Sequence, residues 1–486
     1  MSTTTVTATT ATELEEILAA AQQAAAPFAA LRPAARADVL DVVADALDAA
    51  AETLIPIAMA ETNLAEGRLT GELKRTTFQL RIFGEVLRDG AYLDARIDHA
   101  DAQWPMGAPR PDLRRVLEPI GPVMVFSASN FPFAFSVAGG DTASAWAAGN
   151  PVIVKAHSGH PQLSLATASV IDAALLNAGV PAGVFALVLG TEAGSSALKD
   201  ARIKAAGFTG SIPGGRALFD IANARPEPIP FYGELGSNNP VFVTSAAAAE
   251  RGAEVAAEFV ASFTMGAGQF CTKPGTIFVP RHSNIVETLR ATELPAAAAL
   301  LNGRIQSGYV EVLQELQGHE KIQVLAQGSD PLADPPSPTL LLTNAADLLA
   351  HTEALQTECF GPTALVVEYD DEAELVGLAE SFEGQLTATI VGTESCQVAE
   401  LLEVLARKAG RVLWNQWPTG VSVTYAQQHG GPYPATTSVG STSVGTAAIS
   451  RFLRPVAYQG FPQALLPESL QDANPLNVPQ MINGKR

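Results

Sequence analysis

Two short apolar runs decide the fold class of this sequence: PIGPVMVF at residues 119–126 and PVIVKA at residues 151–156. Both are nearly continuous in apolar residues and contain several β-branched side chains, as strands buried on both faces do. The Ala-rich stretch between them, from Ser136 to Ala148, has the composition of a helix. A strand, a helix and a second strand in this order predict a crossover unit, and therefore a parallel sheet with helices on its faces.

The same alternation continues towards the C-terminus. VFALVLG and IKAAGFTG predict two further strands of the first sheet, and a second series of strands begins with NPVFVT at Asn239 and continues through TIFVP, ALVVEY, LTATIVG and RVLWNQ. We therefore expect an α/β protein with two doubly wound parallel-sheet lobes. FLRPVAYQG, which begins at Phe452, predicts an isolated late strand.

Length and composition limit the possible functions. A chain of 486 residues suggests about three domains or lobes, and its net charge of -20 argues against nucleic acid or an anionic membrane as a partner. The three cysteines are too few and too scattered for a disulfide framework, and the seven histidines are too scattered for a metal site, so no metal is expected. With no secretory signal and no long apolar run, a cytoplasmic location is predicted.

Cys271, in GAGQFCTKPG, is the first candidate for chemistry. Glycines on both sides predict a tight turn between a helix and a strand, and loops on a rigid scaffold commonly present nucleophiles. A buried, inert cysteine is the alternative.

Three other short motifs carry residues that would suit such a nucleophile. Asn130, in ASNFPFAF, is a possible oxyanion donor or a helix N-cap, and Glu234, in FYGELGSNNP, is a possible general base with a raised pKa or a surface glutamate. Glu358 and Phe360, in ECFGP, could contact the ribose and ring of a cofactor or belong to an ordinary turn.

Taken together, these motifs resemble the aldehyde dehydrogenase superfamily across nearly the whole chain. Strand-Asn-Phe-Pro, strand-Lys, FTGS, ELG, GQFC and ECFGP occur in the order of that family. The FTGS, GQFC, ECFGP and HGGPYPATT segments further resemble the branch that contains α-ketoglutaric semialdehyde (2,5-dioxopentanoate) dehydrogenases. The resemblance implies NAD(P)-dependent oxidation of an aldehyde to a carboxylic acid through a thioester.

The resemblance also implies a role for each matching residue. Cys271 would be the nucleophile, Asn130 the oxyanion donor and Glu234 the base for hydrolysis. The implied cofactor contacts are Lys155 at the adenosine ribose, Gly210, Ser211 and Gly215 at the pyrophosphate, and Glu358 and Phe360 at the nicotinamide end.

One position departs from the common family pattern. Many members that prefer NAD have a glutamate three residues after the strand lysine, where this chain has Ser158. A serine can donate a hydrogen bond to a 2′-phosphate that a carboxylate would repel, and Lys155 could neutralise its charge. We therefore expect NADP as the cofactor, with NAD as the alternative.

The substrate expected from the branch is 2,5-dioxopentanoate, with 2-oxoglutarate as the product. The loop from Trp414 to Gly445 contains no Lys or Arg, so the predicted substrate contacts are Lys273, His429 and Tyr433, with the hydroxyls near Tyr433 as further candidates. The alternatives are a general aliphatic or aromatic aldehyde dehydrogenase, a cysteine hydrolase or acyltransferase, and a non-catalytic structural protein.

The resemblance finally implies a division of the chain and a small oligomerisation lobe. Residues 1–100 and 119–236 are assigned to the dinucleotide-binding domain and residues 237–445 to the catalytic domain. Residues 101–118 and 446–486 are assigned to the oligomerisation segments and tail. A homodimer or homotetramer that acts on a small-molecule aldehyde is expected.

Overall fold

A computed structural model describes residues 6–485, which form three sheets flanked by helices. The helices are α1 (Ala11–Ala29), α2 (Pro33–Ala49), α3 (Ala51–Thr62), α4 (Glu66–Asp89), α5 (Gly140–Ala148), α6 (Pro161–Asn177), α7 (Thr191–Lys199), α8 (Ile212–Asn223), α9 (Ser245–Thr264), α10 (Ile285–Ala291), α11 (Gly303–Gly318), α12 (Ala345–Ala350), α13 (Thr352–Leu355), α14 (Glu374–Ser381) and α15 (Ala399–Lys408). The strands are β1 (Ala95–Asp98), β2 (Leu113–Pro119), β3 (Val123–Phe126), β4 (Val152–Lys155), β5 (Phe185–Val188), β6 (Ala205–Thr209), β7 (Phe231–Glu234), β8 (Val241–Val243), β9 (Thr276–Pro280), β10 (Gln323–Gln327), β11 (Thr339–Asn344), β12 (Thr363–Tyr369), β13 (Gln385–Val391), β14 (Ala409–Trp414), β15 (Leu453–Gln459) and β16 (Gln480–Ile482).

The first sheet has the order β5-β4-β3-β6-β7, and all of its strand pairs are parallel. Its central strands are apolar and buried, because helices cover both faces. The strand order reverses at β3, and ligands of such sheets bind at the carboxyl ends of the strands near the reversal. Lys155 ends β4 and Glu234 ends β7, so both lie at this edge of the sheet.

The second sheet has the order β10-β11-β12-β9-β8-β13-β14, in which β10 is antiparallel to β11 and the remaining pairs are parallel. Two further buried clusters of apolar side chains pack on its faces. These two helix-covered sheets confirm the predicted α/β class with two parallel-sheet lobes.

The third sheet is small and has the order β15-β2-β1-β16. β15 pairs with β2 along its whole length, from Leu453 opposite Pro119 to Gln459 opposite Leu113. The strand predicted from Phe452 therefore exists, but the expectation that it is isolated is wrong. Its partner is distant in the sequence, and no local pattern could reveal the pairing.

The helix predicted from Ser136 begins later, at Gly140, and residues 127–139 form turns. Part of the reason lies in α4, where the buried Glu72 carboxylate accepts hydrogen bonds from the backbone N–H groups of Phe133 and Ala134 at 2.8 and 3.0 Å. These contacts hold the turn that carries Asn130. Among residues 6–485, no helix is both long and apolar enough to span a lipid bilayer.

Candidate active site

Cys271 lies on the loop between α9 and β9, in the second-sheet lobe. Its side chain is partly exposed, and the amide of Asn239 fixes its backbone by donating to the carbonyl oxygens of Cys271 and Lys273, both at 2.9 Å. The buried side chain of Asn239 thus fixes the turn around the thiol.

Gly268 connects this loop to the ECFGP segment. Its φ of +69° favours glycine, and a Cβ at this position would lie only 2.0 Å from the carbonyl oxygen of Gly361. The two backbones can approach this closely only because no side chain separates them, which brings the GQFC and ECFGP motifs together.

Glu234, His429 and Cys271 form a compact cluster between the lobes. Nε2 of His429 lies 2.8 Å from Oε1 of Glu234 and 3.5 Å from Sγ of Cys271. The hydroxyl of Ser443 donates a short hydrogen bond to the other oxygen of the same carboxylate. Glu234 and His429 are almost fully buried, and of the three residues Cys271 alone is partly exposed.

The charges of the cluster differ from the sequence-based expectation for Glu234. Burial alone would raise the pKa of Glu234, but attraction to His429 and hydrogen bonds from His429, Ser443 and Cys271 outweigh burial and lower that pKa. The expected raised pKa is therefore wrong. Burial and the nearby Glu234 carboxylate raise the pKa of the Cys271 thiol well above its usual value. The carboxylate is thus the ionised member of the pair, and the thiol keeps its proton until a proton acceptor takes it.

The donor atoms of Glu234, Cys271 and His429 all lie within 4.8 Å of one another, a spacing that would also suit a metal ion. A thiol, an imidazole and a carboxylate in mutual contact are equally the groups needed for proton transfer. The expectation that the protein uses no metal stays a prediction.

Asn130 is buried in the turn after β3, and its Nδ2 donates to the carbonyl oxygen of Gln269 at 3.1 Å. This bond joins the amide to the loop that carries Cys271, two residues before the thiol. Gly139, not Asn130, precedes α5, so the alternative role of Asn130 as a cap of this helix does not apply. The arrangement is suited to a donor held beside the nucleophile.

Lys155, which is expected at the adenosine end of the cofactor, lies near a second positively charged residue, Arg304. Lys155 ends β4 and Ser158 is exposed on the following turn. Burial lowers the pKa of Lys155, and repulsion from Arg304 at the start of α11 lowers it further. Two positive groups that repel each other provide a suitable environment for an anion such as a phosphate.

The start of α8 has the features of a phosphate-binding helix terminus. Gly210 and Ser211 are exposed, and the Ser211 hydroxyl caps the helix by accepting from the N–H of Gly214 at 3.4 Å. A Cβ at Gly215 would lie 2.1 Å from the Leu235 side chain, so the helix start is packed closely against the strand end that carries Glu234. A helix start of this kind can bind an anionic phosphate, so Gly210, Ser211 and Gly215 stay the predicted pyrophosphate contacts.

Glu358 lies against the same strand end, because a Cβ on Gly236 would come within 2.4 Å of its Oε2. Burial raises the pKa of Glu358 to about 7, although Lys273 and the backbone of Ser237 counteract this effect. Phe360 is half-buried two residues further along the chain. The assignment of Glu358 and Phe360 to the nicotinamide end of the cofactor stays a prediction.

The residues expected to bind the substrate separate into different environments. Lys273 is buried, and its ammonium donates to the carbonyl oxygens of Cys359, Gly361 and Thr363. Its three N–H groups are used within the loop, so we do not retain Lys273 as a carboxylate-binding residue.

The hydroxyls expected to bind substrate near Tyr433 have other partners, although the backbone of Thr436 pairs with that of Glu234. Tyr433 is 52% exposed and hydrogen-bonds to Arg216 on α8. The hydroxyls of Thr436 and Thr437 bond to backbone groups of Gly431, Phe231 and Gly233. Only His429 of the three predicted substrate residues contacts the nucleophile.

Arg68 and Arg75 of α4 lie beside the cluster and were not among the predicted site residues. The segment EGRLTGELKRTT contains a pattern that indicates them. Arg68, Glu72 and Arg75 have a helical spacing that brings them to one face of α4. This face is next to the buried Leu69 and Leu73. Charged residues on the buried face of a helix require partners, and this requirement could have identified them.

Comparison with known proteins agrees with this geometry. Residues 2–455 match the profile described as "Aldehyde dehydrogenase family". The chain is 45% identical over 480 residues to "Alpha-ketoglutaric semialdehyde dehydrogenase" of Acinetobacter baylyi, covering 97% of this chain and 91% of the relative. It is 46% identical over 462 residues to "Alpha-ketoglutaric semialdehyde dehydrogenase 2" of Azospirillum brasilense, covering 93% of this chain and 87% of the relative.

A solved structure shares the fold at low sequence identity. The NADP-dependent glyceraldehyde-3-phosphate dehydrogenase from Bacillus halodurans, complexed with NADP, aligns with a TM-score of 0.78 and 20% identity over 93% of this chain and 92% of its own. By its matched residues and its fold, the chain belongs to the aldehyde dehydrogenase family and is an NAD(P)-dependent aldehyde oxidoreductase.

Proposed function

We propose that this enzyme oxidises 2,5-dioxopentanoate, which is α-ketoglutaric semialdehyde, to 2-oxoglutarate, with NADP as the preferred cofactor. The buried contact of Glu234 with Cys271 and His429 supports the chemistry. The names of the relatives at 45% and 46% identity support the choice of substrate.

The first step is attack of Cys271 on the aldehyde carbon. Glu234 is ionised and adjacent, so it accepts the thiol proton as the C–S bond forms. The carbonyl oxygen becomes negative, and Nδ2 of Asn130 with the backbone N–H of Cys271 are the donors assigned to it. The product of this step is a thiohemiacetal on Cys271.

Bound NADP supplies the acceptor for the hydride that leaves the substrate carbon. Cys271 then carries a thioester, and residues of the protein carry out its hydrolysis. Glu234 first releases the thiol proton to solvent, and it then removes a proton from water as the water attacks the thioester carbon, while Asn130 again stabilises the oxyanion. Collapse of this intermediate breaks the C–S bond and gives the carboxylic acid, and the departing Cys271 thiolate takes back a proton from Glu234. The N–H of His429 and the hydroxyl of Ser443 keep the carboxylate oriented throughout.

The preference for NADP rests on three side chains near the end of β4. Lys155 and Arg304 supply positive charge, and Ser158 supplies a hydroxyl where a carboxylate would repel a 2′-phosphate. Arg304 is a candidate contact that sequence reasoning did not include. We expect the three residues to surround the phosphate.

We also propose the chain divisions given above as domain limits, and assembly into a homodimer or homotetramer through the third sheet. β15 is an edge strand with several exposed side chains, and Leu465 beyond it is 69% exposed. Edge strands and exposed apolar groups favour association with another chain. A cytoplasmic location is proposed because Cys271 must stay a free thiol.

Initial rates on the purified protein test the proposed function. The screen compares semialdehydes of keto acids with short aliphatic and aromatic aldehydes, each with NADP and with NAD. The highest kcat/KM is expected for 2,5-dioxopentanoate with NADP. A higher value with uncharged aldehydes would reject the substrate, and thioester or amide hydrolysis without cofactor reduction would favour a cysteine hydrolase.

A further inference from the structure

Two arginines of α4 lie beside the catalytic loops without full sets of partners. The guanidinium carbon of Arg68 lies 4.8 Å from the ring centroid of Phe131 and 4.6 Å from that of Phe270. Its Nη2 donates to the carbonyl oxygen of Asn130 at 2.7 Å. Because Phe131 follows Asn130 and Phe270 precedes Cys271, Arg68 is positioned between the two segments that form the site.

Arg75 lies about two turns further along α4. Its guanidinium carbon is 5.4 Å from the ring centroid of Phe135, and that ring is 6.4 Å from the ring of His429. The positive charge of Arg75 interacts with both Cys271 and Glu234. The guanidinium therefore belongs to the same electrostatic environment as the cluster.

Both arginines have unused hydrogen-bonding capacity. Nη1 of Arg68 and Nη1 of Arg75 are buried and have no hydrogen-bond partner among residues 6–485. A buried donor without a partner is energetically unfavourable, so such a pair of donors is suited to a ligand that supplies acceptors.

Glu72 lies between the two arginines in the sequence of α4, and its single negative charge can neutralise only one of them. One of its oxygens accepts from two backbone N–H groups, and the other lies 3.9 Å from Nη2 of Arg68. Arg75 also faces the Glu234 carboxylate, so two guanidinium groups lie beside two carboxylates. The unpartnered Nη1 donors, and not an excess of charge, are therefore what this pair offers to a ligand.

We infer that Arg75, with Arg68 beside it, binds the distal carboxylate of the substrate. A carboxylate offers two coplanar acceptors, which match the planar donors of a guanidinium. The inference rests on the proposed function and assigns its substrate class, which is a short aldehyde that carries a carboxylate at its other end. It also supplies the cation that the loop from Trp414 to Gly445 lacks.

The test compares Arg75→Met with wild type on 2,5-dioxopentanoate and on pentanal. Loss of a charge-assisted hydrogen bond should lower kcat/KM for the acid by about 10- to 150-fold relative to pentanal. Arg75 also affects the charge of Cys271, but a change in thiol reactivity acts on both substrates, so the ratio isolates carboxylate binding. Arg81→Met is the matched control, because Arg81 lies on the same helix and pairs with Asp45 and Asp48.

Equal losses on the two substrates would overturn the inference while leaving the proposed function intact. A wild-type enzyme that does not prefer the acid would instead overturn the proposed function. Arg75→Lys keeps a charge but not the planar pair of donors, so an intermediate ratio is expected from it. If Arg75→Met does not fold, Arg68→Met is measured in the same way. An unchanged ratio of kcat/KM for the acid to that for pentanal in both Arg68→Met and Arg75→Lys would then reject the carboxylate site.

Discussion

Nε2 of His429 lies 2.8 Å from Oε1 of Glu234, at the point where the first-sheet lobe meets the loop that carries Cys271. Since Ser443 donates to the other carboxylate oxygen, Glu234 has both oxygens engaged and a lowered pKa. A buried carboxylate that stays ionised in the free enzyme can accept the thiol proton in the first half of the reaction and, after that proton is released to solvent, a proton from water in the second half. This relationship lets one residue serve both halves of the reaction.

Cys271→Ala should reduce aldehyde oxidation by at least about 10⁴-fold, because the thiolate forms the covalent intermediate. NADP affinity should stay nearly unchanged, since the assigned cofactor contacts lie elsewhere. The measurements are initial rates and calorimetric titration with NADP. Cys396→Ala is the control, because Cys396 contacts Thr244 and Thr393 away from the cluster. Substantial turnover in Cys271→Ala would remove the nucleophile assignment.

Glu234→Gln should give a first-turnover burst of NADPH followed by slow turnover. An amide cannot remove a proton from the attacking water, whereas hydride transfer precedes that step. Rapid mixing with excess aldehyde, monitored by NADPH absorbance, measures both phases. We expect a loss of about 10²- to 10⁴-fold in the steady state and a smaller loss in the burst. Equal losses in both phases would show that Glu234 acts mainly on the thiol.

His429→Leu should change the pH dependence of hydrolysis. The pKa of Glu234 is lowered by His429 against the opposite effect of burial, so removal of the imidazole leaves burial dominant and raises that pKa. As pH falls, the carboxylate of the variant becomes protonated sooner, and the acidic limb of kcat should move to higher pH. A pH profile of steady-state rates tests this, and an unmoved limb would show that His429 does not set the charge of Glu234.

The alkaline side depends on the thiol. Because the pKa of Cys271 is raised, the thiolate fraction of the free enzyme increases with pH through the alkaline range. The rate of alkylation by iodoacetamide should therefore rise with pH above neutrality in wild type and be absent at this position in Cys271→Ala. A rate independent of pH would indicate a thiol that is already ionised.

Sequence motifs predicted the lobes and family well, because apolar strand runs and ordered motifs are local signals. They did not predict contacts made across long separations in the chain. His429 meets Cys271 across 158 positions, and Glu72 meets Phe133 across 61. The lowered pKa of Glu234 and the loss of Lys273 as a substrate residue follow from such contacts. Burial alone suggested the opposite for Glu234, since its hydrogen-bond donors were unknown.

Assembly through the third sheet predicts an oligomer at micromolar concentration. Light scattering should give a mass of two or four chains of 50.6 kDa. Leu465→Lys, which places a charge on an exposed apolar position of this region, should shift the mass towards a smaller species. A wild-type monomer would contradict the assembly, and an unchanged mass in the variant would exclude Leu465 from the interface.

Two contributions to cofactor choice at the end of β4 can be measured separately. Ser158→Glu should increase the ratio of kcat/KM for NAD to that for NADP, because a carboxylate repels the 2′-phosphate and accepts from the ribose hydroxyls. Arg304→Gln should weaken NADP more than NAD, because it removes only an attraction to the phosphate. Ser395→Glu is the control, since it adds the same charge to an exposed turn of the other lobe. Each variant is expected to change the ratio by about tenfold, the equivalent of one charge-assisted hydrogen bond. If Ser158→Glu behaves like Ser395→Glu, Ser158 does not face the ribose. If Arg304→Gln leaves the ratio of kcat/KM values unchanged while Ser158→Glu changes it, the 2′-phosphate is held by Lys155 and Ser158 without Arg304.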